Sequence, residues 1–156
     1  MNYCAIIDSP LGKLGIATSN HRLVKIDFVA ASYPLLPPQN EFTAQIITQL
    51  NNYFSDPGYS FTIPMAIQGT DFQQRVWQAL QAIPSGTTFT YGHLAKGLNT
   101  SPRAIGNACR TNPIPIIIPC HRIIGQSSLG GYSGCTKGDM MTIKHWLLHH
   151  EKRLLI

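Results

Sequence analysis

Three short β-type runs open the chain, Tyr3 to Asp8, Lys13 to Thr18 and Arg22 to Phe28. Their separators, Ser9-Pro10-Leu11-Gly12 and Ser19-Asn20-His21, are turn chemistry, so the pattern predicts a three-stranded antiparallel meander. His21, inside a turn, reads as a solvated histidine. From Glu41 to Phe54 the period changes: Ile46, Ile47, Leu50, Tyr53 and Phe54 recur at helical spacing, predicting a helix against one face of the sheet. The proline-rich stretch Ser32 to Asn40 reads as a loop, and Phe61 to Ile67, with Pro64, as an extended linker.

Beyond the linker, Thr70 and Gln73 have capping-box spacing, and Phe72, Val76, Trp77, Leu80 and Ile83 mark one apolar helix face that Pro84-Ser85-Gly86 ends. An extended piece, Thr87 to Thr90, leads into a short helix, Tyr91 to Leu98, and a tight turn follows. Ser101 is placed to cap a further helix, Pro102 to Arg110, with Pro102 at its first position. That helix sets Ile105, Ala108 and Cys109 on one side and Arg103, Asn107 and Arg110 on the other, so the pair reads as a helix-turn-helix. Ala104, Gly106 and Ala108 are small enough to let its backbone approach a groove closely. A merely solvated helix face would show the same spacing.

Next, Ile114, Ile116, Ile117 and Ile118 read as a buried apolar strand running into Pro119 and then Cys120, His121 and Arg122. The last helix, Met140 to Leu154, carries a stripe of Ile143, Trp146, Leu147 and His150, with Glu151 at its edge. Spacing alone reads Glu151 as a solvated helix-end residue beside Lys144 or His150. A carboxylate there could instead orient His121.

Composition adds bounds. The chain has 156 residues and 44% hydrophobic positions, enough for one domain or two small ones. The pattern divides at the linker into residues 1–66, an α/β unit, and 67–156, the helix-turn-helix unit. No apolar run approaches the roughly 20 residues of a membrane span and no signal-peptide pattern begins the chain, so a soluble cytoplasmic protein is expected. Cys4, Cys109, Cys120 and Cys135 show no CxxC spacing, and a set of Cys109, Cys120, His121 and Cys135 does not match zinc-site spacing, so no metal is expected. Charge is uneven: residues 1–65 hold three Lys or Arg against four Asp or Glu, residues 66–156 nine against three. This asymmetry moves nucleic acid ahead of the solvated-face reading for the second half.

The candidate chemistry centres on Cys120. Positive charge or a histidine beside a thiol lowers its pKa from about 8.5, and His121 and Arg122 predict such a thiolate. Gly130-Gly131-Tyr132-Ser133-Gly134 could wrap a flat heterocycle and bond its edge, as base-flipping enzymes require, although such a loop is usually only a turn.

These residues resemble the O6-alkylguanine-DNA alkyltransferases, also called methylated-DNA-protein-cysteine methyltransferases. The likeness runs through Asp8-Ser9-Pro10-Leu11-Gly12, Phe72 to Trp77, Asn112-Pro113, Ile116 to Ile124, Gly131 to Gly134 and Lys144 to Glu151, nearly the whole chain. It implies an α+β fold with an RNase H-like N-terminal domain and a winged helix-turn-helix domain carrying the active site. It implies direct repair of flipped O6-alkylguanine by transfer of the alkyl group to Cys120, with O4-alkylthymine left open as a substrate. His121, through a water and with Glu151 behind it, would take the thiol proton, and Tyr91 would serve the leaving guanine. Tyr132, Ser133 and Gly134 would border the base, the carbonyls of Cys120 and Ile123 would read its amine, and Asn112 would hinge the two parts. Arg103 would enter the stack, with Asn107, Arg110, Tyr91, Ala104 and Gly106 also at the DNA. The implied partner is double-stranded DNA at its minor groove, for a monomer that could cluster there, with no cofactor, metal or membrane. Two departures stand out: Pro102 abuts Arg103, which leaves Arg110 as the fallback finger, and Cys135 replaces a common glycine. A lesion-binding module without transfer, a Cys/His/Glu thiol hydrolase with turnover and a thiol redox regulator are the competing readings.

Overall fold

Asn20 and His21 both take positive φ, 51° and 58°. This is the geometry that lets a two-residue turn join twisted antiparallel strands. It links β2 (Lys13–Ser19) to β3 (Arg22–Val29), and β1 (Ala5–Ile7) pairs with the other edge of β2, giving an antiparallel sheet in the order β1-β2-β3. Helix α1 (Glu41–Ser55) starts at Asn40, whose side chain accepts from the Thr43 amide, and buries Ile46, Leu50 and Tyr53. Its first turn meets the hairpin through Thr43 with Thr18 and through Phe42, edge-on to exposed His21. The structure is a computed structural model describing residues 2–128, 130–132 and 139–152. The chain divides into two compact units, Met1–Ile67 and Gln68–Ile156.

In the second unit the Thr70–Gln73 capping box starts α2 (Asp71–Gln81). A two-residue strand β4 (Phe89–Thr90) leads directly into α3 (Tyr91–Gly97), and Asn99, at φ 57°, turns the chain toward α4. Helix α4 (Pro102–Arg110) is capped by Ser101, whose hydroxyl accepts from the Ala104 amide, with Pro102 where its missing N–H has no helical partner to lose. Trp77 of α2 is buried and its indole N–H donates to the Ala108 carbonyl at 2.8 Å. Gln73 reaches Thr111, and Arg75 donates to the Leu98 carbonyl. These bonds lock the helix-turn-helix onto α2.

The isoleucine run is not the strand its composition suggests. Pro113, Pro115 and Pro119 lack the N–H groups that a strand ladder needs. The segment coils into turns instead, with Ile118 N–H donating to the Ile114 carbonyl and Cys120 N–H to the Ile118 carbonyl. Ile116 sits at φ 76°, a region that costs a non-glycine residue about 1–3 kcal/mol. Full burial of Ile114, Ile116 and Ile118, each worth about 1.5–3 kcal/mol, offsets it. The run ends in a 3-10 turn, Cys120–Arg122, and then β5 (Ile123–Ile124), which pairs in parallel with β4. Because Thr90 faces Ile124 in that pair, the first residue of α3, Tyr91, is delivered beside the segment that follows Cys120. Helix α5 (Asp139–Lys152) completes the unit.

Trp77→Phe removes one donor from the Ala108 carbonyl and some packing, and is expected to cost about 1–3 kcal/mol of stability in urea unfolding. A loss below about 0.5 kcal/mol would show that this bond does not hold α4 to α2.

Candidate active site

Cys120 is only 5% exposed, and its sulfur is held from the chain eight residues back. The Asn112 side-chain amide donates to Sγ at 3.2 Å and to the Ile118 carbonyl at 2.8 Å, while its oxygen accepts from the Ile114 amide at 2.9 Å. One side chain thus ties together both ends of the proline-interrupted run and points a donor at the sulfur.

The thiol does not have the lowered pKa that its neighbours in sequence suggest. Burial pushes it up, against the Asn112 hydrogen bond and the Lys144 charge, which favour thiolate. Arg122 faces elsewhere: its Nε and Nη2 each donate to Glu151 at 2.9 Å, and Nη1 donates to the Ile83 carbonyl just beyond α2. Adjacency in sequence did not become adjacency of charge, and the resting group is a thiol.

Glu151 is likewise not a solvated helix-end residue. Positions 144, 147 and 151 share one side of α5, and Lys144, Leu147 and Glu151 are all buried there. Burial alone would raise the Glu151 carboxyl, but hydrogen bonds from His121 and Arg122, with the guanidinium charge, outweigh it and hold the group well below the usual carboxylate range. An ionised carboxylate can only accept, so the 2.8 Å contact between Glu151 Oε2 and His121 Nε2 places the imidazole proton on Nε2. Burial lowers the His121 pKa despite Glu151 and keeps the ring neutral, which leaves Nδ1 with a lone pair. Nδ1 is buried without a hydrogen-bond partner among the described residues. A neutral histidine, its tautomer fixed by a carboxylate and one nitrogen open, is what a general base for the adjacent thiol requires.

Tyr91 opens α3, whose first turn is capped by Thr90. Burial, with the nearby Cys109 thiol, pushes its phenol up to about 12 against a backbone hydrogen bond at Gly131, so it remains a proton donor. Gly130 must be glycine: its φ is 73°, and a Cβ there would lie 2.7 Å from the Tyr91 ring. Tyr132 is buried two residues on. Ser133 and Gly134, expected in the same loop, lie outside the described residues, as does Cys135.

Lys144 is the site residue that sequence reasoning passed over. It is fully buried, and its ammonium donates to the Ile123 carbonyl at 2.7 Å and the Gly131 carbonyl at 2.8 Å. Burial pulls its pKa down to about 8, with the proximity of Cys120 and Cys109 acting the other way. Its place one turn from Leu147 and two from Glu151, on the stripe side of the helix, was the available signal.

Asn112, Lys144 and Tyr91 act directly on the Cys120 thiol, Glu151 holds the neighbouring His121, and Lys144 links Ile123 with the residue before Tyr132. Arg103, Asn107 and Arg110 lie exposed on α4 and Ala104 and Gly106 half-buried, a separate, solvent-facing set. Among the described residues no three His, Cys, Asp or Glu side chains are grouped to hold a metal ion. The arrangement suits attack by sulfur on an electrophilic carbon, with one group to take the thiol proton and another to serve the leaving group.

Comparison with known proteins gives the same picture. Residues 71–153 match the model of the 6-O-methylguanine DNA methyltransferase DNA binding domain, and residues 2–67 that of its ribonuclease-like domain. A methylated-DNA--protein-cysteine methyltransferase of Mycobacterium leprae is 42% identical over 86% of each chain. One from Methanosarcina acetivorans is 38% identical over 96% of this chain and 97% of its own. A crystal structure of Mycobacterium tuberculosis OGT in complex with DNA superposes with a TM-score of 0.77 at 38% identity, covering 95% of this chain and 92% of that one.

Glu151 provides the clearest pH signature. Its native pKa lies below its unfolded value, about 4.3, so its stabilisation is complete above about pH 5 and is lost as pH falls through the native value. Glu151→Gln is expected to cost about 3–5 kcal/mol at pH 7 in urea unfolding. The gap to wild type should narrow steadily below about pH 4. A gap of constant size down to pH 3 would mean that the carboxylate charge is not what holds the site.

Proposed function

This chain belongs to the O6-methylguanine DNA methyltransferase family, and on that premise we propose that it repairs alkylated DNA directly, taking the alkyl group onto Cys120. The observation that carries this reading is a buried thiol followed directly in the chain by a neutral, carboxylate-oriented histidine with Nδ1 open. The reaction balances simply. His121, through a water, takes the Cys120 proton; sulfur forms a bond to the alkyl carbon as the bond from that carbon to guanine O6 breaks. The electron pair passes into the purine, where Tyr91, kept protonated, supplies a hydrogen bond or proton. The thiol is not acidic at rest, so the proton moves as the substrate arrives.

Residues 1–66 form the N-terminal domain in this proposal, and residues 67–156 bind DNA and accept the alkyl group. The lesion has to leave the helix, since an atom inside the base stack cannot reach a sulfur this buried. Tyr132, with Ser133 and Gly134, borders the extruded base, and the carbonyls of Cys120 and Ile123 receive its exocyclic amine. The exposed Arg103, Asn107 and Arg110 meet the duplex, with Ala104 and Gly106 permitting close approach and Arg103 filling the space of the extruded base. An approach through the minor groove suits a reader of shape and backbone, and the basic charge of this half supports it. The working place of such a protein is the cytoplasm with access to chromosomal DNA.

The product is a thioether, which lacks the carbonyl that lets water release a thioester, so each molecule acts once. With duplex containing O6-methylguanine in excess, repaired guanine should rise to one equivalent per protein and stop, and Cys120→Ser should give none. Continued turnover beyond one equivalent would instead favour a thiol hydrolase, and transfer by Cys120→Ser would name another acceptor.

A further inference from the structure

A fully buried ammonium is an expensive way to fill space. Moving a charge out of water costs several kcal/mol unless acceptors surround it, and an apolar side chain of similar volume is often at least as stable. Lys144 retains part of that cost, as its lowered pKa indicates. What it gains is a pair of short bonds to two carbonyls from different parts of the chain.

Those carbonyls are not arbitrary. Ile123 is in β5, directly after the Cys120–Arg122 turn, and Gly131 directly precedes Tyr132. Gly131 also lies against Tyr91. Among the described residues β5 pairs with β4, and Ile123 and Gly131 lie eight positions apart in the sequence. Lys144 ties both positions to α5.

We propose that Lys144 is a positioning residue for the substrate base: by donating to the Ile123 and Gly131 carbonyls it sets the spacing and orientation of the two walls between which the extruded guanine sits. This rests on the transfer reading above. A carbonyl oxygen has two lone pairs. With one turned to Lys144, the Ile123 oxygen is fixed with the other available to the exocyclic amine. The Gly131 bond in turn places Tyr132 and keeps the Gly130 backbone against the Tyr91 ring. A reacting base displaced by about 1 Å can lose about 100-fold in rate, so a tie of this kind is felt in the chemistry rather than in DNA affinity.

Lys144 also has a charge effect to separate from this. Its ammonium is close enough to Cys120, Cys109 and His121 to act on all three electrostatically. If it worked only by making Cys120 a better nucleophile, every alkyl donor would feel its loss alike. If it positions the base, a donor without a base escapes most of the loss.

The test compares two donors on one protein. Full-length wild type, Lys144→Met and Lys144→Gln are reacted with saturating O6-methylguanine duplex in single turnover and, separately, with methyl iodide, following methylation of the Cys120 peptide by mass spectrometry. For Lys144→Met the duplex rate should fall about 100-fold. The methyl iodide rate should fall by less than about tenfold, the effect of one pKa unit on thiolate content. Lys144→Gln, which keeps a donor for one carbonyl, should be intermediate with the same selectivity, and it carries the test if Lys144→Met does not fold. Equal losses with both donors, or no loss with either, overturn the positioning role while leaving alkyl transfer intact. Wild type that is methylated by methyl iodide but never by the duplex overturns the transfer reading and this one with it.

Discussion

A carboxylate buried to 2% exposure is the constraint on which the C-terminal unit depends. Left unpaired, Glu151 would be neutral or the fold would open around it. Its oxygens instead accept hydrogen bonds from Arg122 and His121, and Arg122 continues to the Ile83 carbonyl just beyond α2. Helix α5, the Cys120–Arg122 turn and the end of α2 are thereby fixed to one another by a single charge. The same contact settles which nitrogen of His121 carries the proton. Structure and chemistry are not separable here, since the bond that holds the turn in place also makes its histidine a base.

That geometry accounts for a thiol that is quiet until used. Burial keeps Cys120 protonated, and the groups that favour thiolate, the Asn112 amide and the Lys144 ammonium, do not reverse it. Arg122, which could have made the cysteine permanently acidic, is committed to Glu151. A sulfur that is consumed by its first alkyl group gains from being unreactive toward solvent electrophiles. It gains equally from a base that acts only when a substrate carbon is in place.

Much of the frame was legible in the sequence because its signals are local. The Thr70–Gln73 box, Ser101 with Pro102, and the Asn20–His21 turn each fix a few consecutive residues, and the observed elements start where those signals stand. The isoleucine run misled because apolar content suggested a strand, while the three prolines that forbid a ladder were the stronger information. The site was harder to read. Whether Arg122 faces Cys120 or Glu151, and whether positions 144 and 151 of α5 point inward, depend on how elements far apart in sequence pack. Spacing put Glu151 only at the edge of an apolar stripe, and Lys144 entered only as a neighbour for a solvated Glu151. Residue reasoning offered the His121–Glu151 pair as the alternative to a solvated Glu151, and family resemblance gave it a role; nothing in residue spacing supplied the two carbonyls that hold Lys144.

The central claim is that Cys120 itself becomes the end product. Digesting the protein after incubation with duplex DNA containing O6-methylguanine, and weighing the peptides, tests it most directly. The account requires the peptide carrying Cys120 to gain the mass of one methylene in proportion to guanine repaired, with the peptides carrying Cys4, Cys109 and Cys135 unchanged. Repaired DNA alongside an unmodified Cys120 peptide would contradict it.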